Sequence, residues 1–513
     1  MLWGPRSSRT PVILAAAVVF VAVCVLPLLF MLSAAFVEPR QMVGVIQDAL
    51  FDRRQGRLLS NTMILGLGTA ALATLVGVPL GFGLARFELR FKAGLRLALV
   101  APAVLPPYVV ALALIYVGGN LASTLGGAIV ALTIVLYPLA MLATEVAVRH
   151  VEPRLEEAAV LVATPGRVLR RITWPLIAPS VVSAALVIFV LAISEFSVPG
   201  LLQVRVFTTE VFTAFAALYD FGRATTLAIP LLMVSVAVAG FAALHVGSRP
   251  MVRRRNVRGE SVDAFSAWKP AVVTAIGGAI LAMLVTPVAA LGREALRSVS
   301  IVAAVRDSRE AVTNSLLLAA AGATAITVLA ACLGYARARA TANVGVALDA
   351  FWLVLFTVPS TVVGIGLIGI WNRGYALGLY GTPAMLVLGN VARFAPFAAL
   401  ALAASIRAVP DSHEEAAATA GAAWLRTMTR IVLAQIRPAL LAVWVIAFIM
   451  AFGEVGTSIL VAPPGESTLP IRVYTLIANA PPGQAAALAL FQSLVIACPL
   501  IVLGTALATW ERP

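Results

Sequence analysis

Long apolar runs alternate with short charged loops from one end of the chain to the other. The runs are continuous rather than alternating between apolar and polar positions, which favours helices over the strands of a membrane barrel. A helix needs about 20 mostly apolar residues to cross the hydrocarbon core of a bilayer. The pattern therefore predicts an all-α membrane protein with about twelve spans, at residues 12–33, 61–84, 97–117, 126–147, 177–194, 226–246, 270–291, 314–336, 348–370, 383–405, 438–461 and 486–508.

The composition agrees with this pattern and narrows the possible partners. Of the 513 residues, 61% are hydrophobic and 12% are charged, whereas soluble domains carry about 25% charged residues. The net charge of +14 comes almost wholly from arginines in alternate loops, which indicates the cytoplasmic side of a membrane protein and not a nucleic-acid-binding surface. We expect a lipid bilayer as partner, no nucleic acid, and cytoplasmic N- and C-termini. The loop that holds Arg40, Arg53, Arg54 and Arg57 has the opposite bias.

Residues that could carry catalysis or hold a metal are scarce. Cys24, Cys332 and Cys498 are scattered through apolar runs, so they form neither a disulfide framework nor a metal cluster. A phosphate-binding loop requires Gly-Lys-Ser/Thr, but the two lysines of the chain follow Phe91 and Trp268. The sequence predicts no catalytic residue, no metal site and no cofactor in this chain.

The chain contains an internal repeat. Several polar or conformationally special residues recur at a constant offset of 253, as Asn61/Asn314, Gly81/Gly334, Arg86/Arg339 and Pro106/Pro359. The repeat divides the chain into a first six-helix unit at 1–247, a linker rich in Arg, Ser and Asp at 248–269, and a second six-helix unit at 270–513. Because six is an even number, both units enter the membrane from the same side, as parallel repeats related by an axis along the membrane normal.

A charged loop occurs at an equivalent place in each repeat. The first copy contains Glu156, Glu157, Ala158 and Ala159, followed by Ala163, and the second contains Glu414, Glu415, Ala416 and Ala417, followed by Gly421. A leading glutamate suits a helix N-terminus, and Gly421 can turn the chain sharply at a helix end. The pattern predicts a short, rigid helix that plugs a cleft in a partner. The alternative is an amphipathic helix that lies on the membrane surface.

These loops resemble the EAA loop of ABC importer permeases, in which Glu-Ala-Ala is followed by Gly and then by Ile-x-Leu-Pro. The second copy matches at Ile431 and Leu433 and has Ala434 where Pro is usual, whereas the first matches at Ile172 and has Ala163 at the Gly position. The fusion of two halves resembles the iron(III) branch of this family. So do the stretches 194–200 and 453–456, which follow the fifth helix of each half.

The resemblance implies a type I ABC importer permease fold and a chain without enzymatic activity. Each loop would dock on one of two copies of an ABC ATPase subunit on the cytoplasmic side, and that subunit would use the ATP. A periplasmic or extracellular solute-binding protein would deliver cargo to this multi-pass protein of the bacterial inner membrane. The expected cargo is iron(III), with thiamine, phosphonate, polyamine or another small solute left open.

Two acidic residues occupy symmetric places, Glu195 at the outer end of the fifth span and Glu454 just inside that of the eleventh. Acids near the membrane are costly and often functional, so two carboxylates facing one axis would suit a pathway for a cationic cargo. The alternative is a pair of helix-end acids that are satisfied by backbone amides or by Arg205 and Arg472.

Other residues within the spans allow two interpretations each. Arg393 and Asn390 lie in the tenth span, where a buried arginine needs a partner. Glu454 is one candidate, so a structural role between helices is favoured over contact with cargo. Pro106 and Pro359 break helices where neighbours can compensate, either as gating bends or as packing kinks.

Two other classes of function are compatible with parallel apolar repeats. A twelve-helix secondary transporter would carry ionisable residues deep in several spans, and these are scarce here. An intramembrane enzyme would require paired catalytic residues within the spans, and no pair has convincing spacing. Neither class accounts for the doubled Glu-Ala-Ala loop.

Overall fold

The computed structural model describes residues 9–36, 53–246, 263–298, 301–373 and 378–510, and within these ranges all regular elements are helical. Most of the predicted linker, Arg40 and the ends of the chain lie outside the described residues. The α-helices of the first half are α1 Arg9–Phe20, α2 Leu26–Phe36, α3 Arg53–Arg86, α4 Lys92–Val100, α5 Pro107–Gly118, α6 Leu125–Arg149, α7 Pro153–Val160, α8 Pro165–Val168, α9 Trp174–Ser194, α10 Ser197–Leu201, α11 Phe207–Ala216 and α12 Phe221–Val246.

The second half repeats this order of elements with small changes. Its α-helices are α13 Lys269–Ile280, α14 Thr286–Ser298, α15 Ile301–Asp307, α16 Arg309–Ala338, α17 Ala342–Thr357, α18 Ser360–Trp371, α19 Ala384–Arg407, α20 Asp411–Thr419, α21 Trp424–Thr427, α22 Leu433–Gln435, α23 Arg437–Gly453, α24 Ser458–Val461, α25 Leu469–Asn479 and α26 Pro482–Trp510. Short π-helical turns join successive helices at matching places in the two halves, at Val21–Val25 and Leu281–Val285 and at Leu169–Thr173 and Met428–Val432.

The described ranges contain nine single helices and three bent helix pairs that are long and apolar enough to cross a membrane. Each of the twelve predicted spans overlaps one of them, which confirms the all-α membrane fold. The third and ninth predicted spans are bent by 94°. The bends fall at Pro106 and Pro359, because a proline has no N–H with which to continue the preceding helix.

The eleventh span ends earlier than the sequence predicts. The apolar pattern gives 438–461, but α23 ends at Gly453, and Glu454 is extended at φ −74° and ψ 122°. The equivalent helix α9 ends in the same way before Glu195, at φ −76° and ψ 128°. The predicted fifth span, 177–194, already ends at this break, whereas the apolar residues that continue after Glu454 hide the break in the eleventh span. Each break places a carboxylate at a helix end.

The first span of each half packs against the other half. The Cys24 thiol donates to the Val391 carbonyl at 3.8 Å, and a Cβ atom added at Gly366 would lie 2.6 Å from the Pro27 carbonyl oxygen. In the reverse direction, the Arg293 guanidinium donates to the Tyr116 carbonyl at 3.0 Å. The division of the chain into units at 1–247 and 270–513 stays a prediction from the sequence repeat. In the structure, the first span of each unit contacts the other unit.

Two glycines of the repeat allow the second and fourth spans of each half to touch. A Cβ atom added at Gly81 would lie 2.2 Å from the Met141 carbonyl oxygen, and one added at Gly334 would lie 2.9 Å from the Ala403 nitrogen. In both cases the obstructing atom belongs to backbone, which cannot move aside as a side chain can. The equal offset of Gly81 and Gly334 therefore reflects close helix packing.

We expect Gly81→Ala to lower the free energy of unfolding by about 3 kcal/mol, at the upper end of the usual cost of overpacking. The matched control is Gly277→Ala in α13, where an added Cβ atom meets nothing within 4 Å. That change should be neutral or stabilising by about 0.5–1 kcal/mol, since glycine weakens a helix interior. Thermal unfolding of both variants in lipid nanodiscs tests this. Equal melting temperatures for the two variants would contradict the close packing.

Candidate coupling loops and pathway carboxylates

Each Glu-Ala-Ala sequence forms a short helix followed by a turn, a second short helix and a π turn that leads into the next span. We call residues 153–173 the first loop and residues 411–432 the second loop. The first loop comprises α7, α8 and the π turn Leu169–Thr173, and the second comprises α20, α21 and the π turn Met428–Val432. The predicted short helix is thus present in both copies. The paired π turns have no signature in the apolar pattern.

Glu156 of the first loop is fully buried and forms an ion pair with Arg86. The Arg86 Nη2 atom lies 2.9 Å from Glu156 Oε2, with the two side chains 2% and 0% exposed. The Thr173 hydroxyl donates to the other carboxylate oxygen at 2.6 Å, and Arg86 also donates to the Val151 carbonyl at 3.2 Å. Glu156 therefore ties the first helix of the loop to the end of α3 and to the π turn.

Glu414 has the equivalent role in the second loop. Its Oε1 atom accepts from Arg339 Nε at 2.8 Å and from Arg339 Nη2 at 2.5 Å, and its Oε2 atom accepts from the Tyr335 hydroxyl at 2.7 Å. Arg339 also pairs with Asp411 at 2.7 Å and donates to the Val409 carbonyl at 3.2 Å. Arg86 and Arg339 are site residues that sequence reasoning missed, although their constant offset of 253 was visible.

The second glutamate of each copy points the other way. Glu157 and Ala158 are exposed on α7, as are Glu415 and Ala416 on α20, whereas Ala417 is buried and Ala159 half-buried. The two adjacent glutamates, which the sequence presents as equals, therefore have different roles. The first holds the loop to the membrane helices, and the second is available to a partner.

The turn after each short helix differs between the copies. Gly421 has a φ of +77°, and its N–H and that of Ala422 donate to the Ala418 and Ala417 carbonyls, which is a Schellman helix end that favours glycine. The turn predicted at Gly421 is confirmed. Ala163 is outside the left-handed region, and the first loop instead exposes Leu161 and Val162, at 86% and 85%.

Glu195 and Glu454 each fold back onto the backbone that follows their helix. Glu195 Oε1 accepts from the Ser197 N–H at 2.8 Å and from the Ser197 hydroxyl at 2.5 Å. Glu454 Oε1 accepts from the Thr457 N–H at 2.8 Å. This agrees with the predicted satisfaction of helix-end acids by backbone amides. Among the described contacts of the two glutamates, Arg205 and Arg472 supply none.

Arg393 is the cationic partner of this site. Its Nε atom lies 3.0 Å from Glu454 Oε2, with side chains 15% and 8% exposed, so the predicted pairing of Arg393 with Glu454 is confirmed. Asn390, one turn before Arg393, is 4% exposed and its Oδ1 atom has no hydrogen-bond partner. Arg393 and Glu454 thus form a mostly buried ion pair, and Glu195 ends α9 at the equivalent place of the first half.

The bends of the two halves meet the carboxylate ends of the opposite halves. A Cβ atom added at Gly453 would lie 3.1 Å from the Pro106 ring. The Ser194 hydroxyl donates across the halves to the Thr357 carbonyl at 2.8 Å. Within the second half, the Thr457 hydroxyl donates to the Ser360 carbonyl at 3.0 Å, on the other side of the same bend. The breaks at Pro106 and Pro359 are therefore places where the two halves contact each other beside Glu454 and Glu195.

Comparison with known proteins places this arrangement in a family. Residues 77–253 match the family of binding-protein-dependent transport system inner membrane components. An ABC transporter permease protein of Streptomyces antibioticus is 33% identical over 190 residues, which cover 36% of this chain and 82% of that protein. The chain belongs to this family. It is the permease component of an ABC transporter and not an enzyme, and it is a multi-pass inner-membrane protein.

Two further relatives extend the comparison. The Fe(3+)-transport system permease protein FbpB 2 of Haemophilus influenzae is 22% identical over 468 residues, covering 89% of this chain and 91% of that protein. The molybdenum transport system permease protein ModB of Mycobacterium bovis is 32% identical over 212 residues, covering 36% of this chain and 78% of that protein. Membership of an importer family implies an ATPase and a solute-binding protein as partners.

Proposed function

We propose that this permease carries iron(III) from an external solute-binding protein to the cytoplasm. The cargo proposal rests on how much of each chain the similarity to one relative covers. Similarity to the Fe(3+)-transport permease of Haemophilus influenzae extends over 89% of this chain and 91% of that protein. It therefore spans both halves and both carboxylate ends, whereas the molybdenum relative covers 36% of this chain.

The charges of Glu195, Glu454 and Arg393 support a cationic cargo. Glu195 and Glu454 with Arg393 carry a net charge of about −1 when all three are ionised, and hard cations prefer oxygen ligands. Among the described residues, no group of three or more His, Cys, Asp or Glu side chains is placed to hold a metal ion. Two carboxylates would contact a passing cation without retaining it, which suits a pathway because cargo must leave as well as enter.

The loops support coupling to two ATPase subunits on the cytoplasmic side, one at each loop. In this proposal the exposed residues Glu157 and Ala158, and Glu415 and Ala416, contact the ATPases. Glu156, which is buried, and Glu414, which is mostly buried, transmit each displacement to α3 and α16 through Arg86 and Arg339. Closure of the ATPases moves the loops together and opens the pathway outward, and hydrolysis resets it. The permease itself uses no cofactor, since ATP is consumed by its partner.

Uptake of radiolabelled ferric iron by iron-starved cells tests this proposal. Deletion of the gene should abolish the uptake that depends on this permease, and the double variant Glu157→Ala/Glu415→Ala should do the same because both docking contacts are lost. The matched control is Glu88→Ala, an exposed glutamate outside both loops, which should transport normally. Wild-type uptake by the double variant would contradict coupling through these loops, and uptake that persists without the gene would remove iron as cargo.

One observation favours a second candidate cargo, an oxyanion. The Arg393 Nη1 atom is buried and has no hydrogen-bond partner, so the guanidinium retains a donor for an anion. The same cells can be tested for uptake of radiolabelled molybdate. Molybdate uptake that depends on the gene, together with gene-independent iron uptake, would support this candidate in place of iron(III).

A further inference from the structure

Near its C-terminal end, the segment between the two halves carries an aromatic side chain that is buried beneath the first loop. Residues Asp263–Trp268 form a 3-10 helix immediately before α13. Phe265 in this helix is 0% exposed. Its ring meets that of Phe82 edge to face, with centroids 5.4 Å apart and planes at 86°, and lies 5.3 Å from the ring of Trp268. A residue from the predicted linker is thus part of the core under the loop.

Phe265 joins a small apolar cluster that supports the first loop from below. The cluster includes Val151, two residues before the loop, Val168 of α8 and Ile177 of α9, all buried, and Ala159 and Val160 of α7 pack against it. These residues come from the loop itself and from the spans on either side of it. The position of α7, which carries Glu157, therefore depends on what fills the space between them.

The second loop obtains the same support from its own sequence. Tyr335, which is 253 residues after Phe82, contacts Trp424 edge to face, with centroids 5.7 Å apart and planes at 63°. Trp424 belongs to α21 within the second loop. The first loop has Pro165-Gly166 at the corresponding place, so it offers no aromatic ring. Phe265 supplies the ring that the first loop lacks.

We propose that Phe265 is a positioning residue for the first coupling loop. The segment between the halves then does more than connect them, because its C-terminal end completes the support of one of the two ATPase-docking sites. A pair of aromatic rings buries a large apolar area and prefers edge-to-face contact. Loss of the Phe265 ring would therefore make α7 more mobile and leave the second loop unchanged. The effect on transport rests on the function proposed above, whereas the effect on the loop does not.

Amide hydrogen exchange of the full chain in lipid nanodiscs tests the structural part. Phe265→Ala should accelerate exchange in residues 153–168 by about tenfold or more, as expected when a buried support is removed, and should leave residues 411–427 unchanged. The matched control Trp424→Ala should have the reverse effect. Phe265→Leu, which keeps an apolar side chain in the same space, should retain most of the protection. Unchanged exchange in 153–168, or equal acceleration in both loops, would overturn the proposal.

Iron uptake at equal amounts of membrane protein tests the functional part. Phe265→Ala should reduce uptake about tenfold or more, and Phe265→Leu should restore most of it. If Phe265→Ala transports normally while Glu157→Ala/Glu415→Ala does not, the positioning role is overturned. If both variants transport normally, coupling through the loops fails instead, and the exchange measurement still decides whether Phe265 supports the first loop.

Discussion

Replacing Glu156 by alanine should lower the free energy of unfolding by about 3–5 kcal/mol, the usual cost of leaving one member of a buried ion pair without its partner. Arg86 and Glu156 have side chains 2% and 0% exposed, so the substitution leaves the Arg86 guanidinium buried without a counter-charge. Replacing the next residue, Glu157, should change stability by less than about 0.5 kcal/mol, because it is exposed. Both changes should impair transport, Glu156→Ala through the fold and Glu157→Ala through docking.

Thermal unfolding in nanodiscs, together with uptake in cells, separates these two effects. The double variant Arg86→Leu/Glu156→Leu should recover most of the lost stability, because apolar residues of similar volume often replace a buried ion pair without cost. Equal melting temperatures for the Glu156 and Glu157 single variants would show that burial does not distinguish the adjacent glutamates, and would remove the assignment of Glu156 as the link to α3.

Glu454 and Glu195 should likewise respond differently to glutamine. Glu454→Gln leaves the mostly buried Arg393 without its counter-charge, so the free energy of unfolding should fall by about 3 kcal/mol. Glu195→Gln should leave stability nearly unchanged, because an amide oxygen can still accept from the Ser197 N–H and hydroxyl. It should nevertheless stop iron uptake, since the pathway would lose the carboxylate that is not paired with Arg393.

The double variant Arg393→Met/Glu454→Gln is the control for this second prediction. It removes both charges, so melting should return towards that of the wild type, and iron uptake should stay low because one pathway carboxylate is missing. Wild-type uptake by Glu195→Gln would reject a pathway role for that residue and would leave it as a helix-end acid bonded to Ser197.

The two halves also differ in the charges that hold their bent spans. Arg96 in the first half pairs with Glu145 at 3.1 Å. Position 349, which is equivalent to 96 at an offset of 253, is an aspartate that accepts from Arg337 at 2.5 and 2.8 Å. The bent span is thus basic in one half and acidic in the other, and each is paired with the opposite charge on a neighbouring span. The repeats have similar architecture but are not interchangeable.

Much of the fold and some of the site followed from local chemistry. The apolar runs give the twelve spans, because each residue's preference for lipid or water is its own property. The prolines at 106 and 359 give the bends, and Gly421 gives the helix end, because these residues restrict or permit backbone angles locally. The internal repeat gives the two loops and the symmetric pair Glu195 and Glu454, because equivalent sequences recur in the same order in both halves.

The tertiary structure alone decided which residues meet. Glu156 and Glu157 are chemically identical, and only the position of Arg86, 70 residues away, makes one buried and the other exposed. The packing of the first span of each half against the other half, and the contact of Phe265 with Phe82, likewise depend on the path of the chain through distant segments. Periodicity records whether a side chain prefers lipid, protein or water, but a contact between distant residues is set by how all the helices pack together.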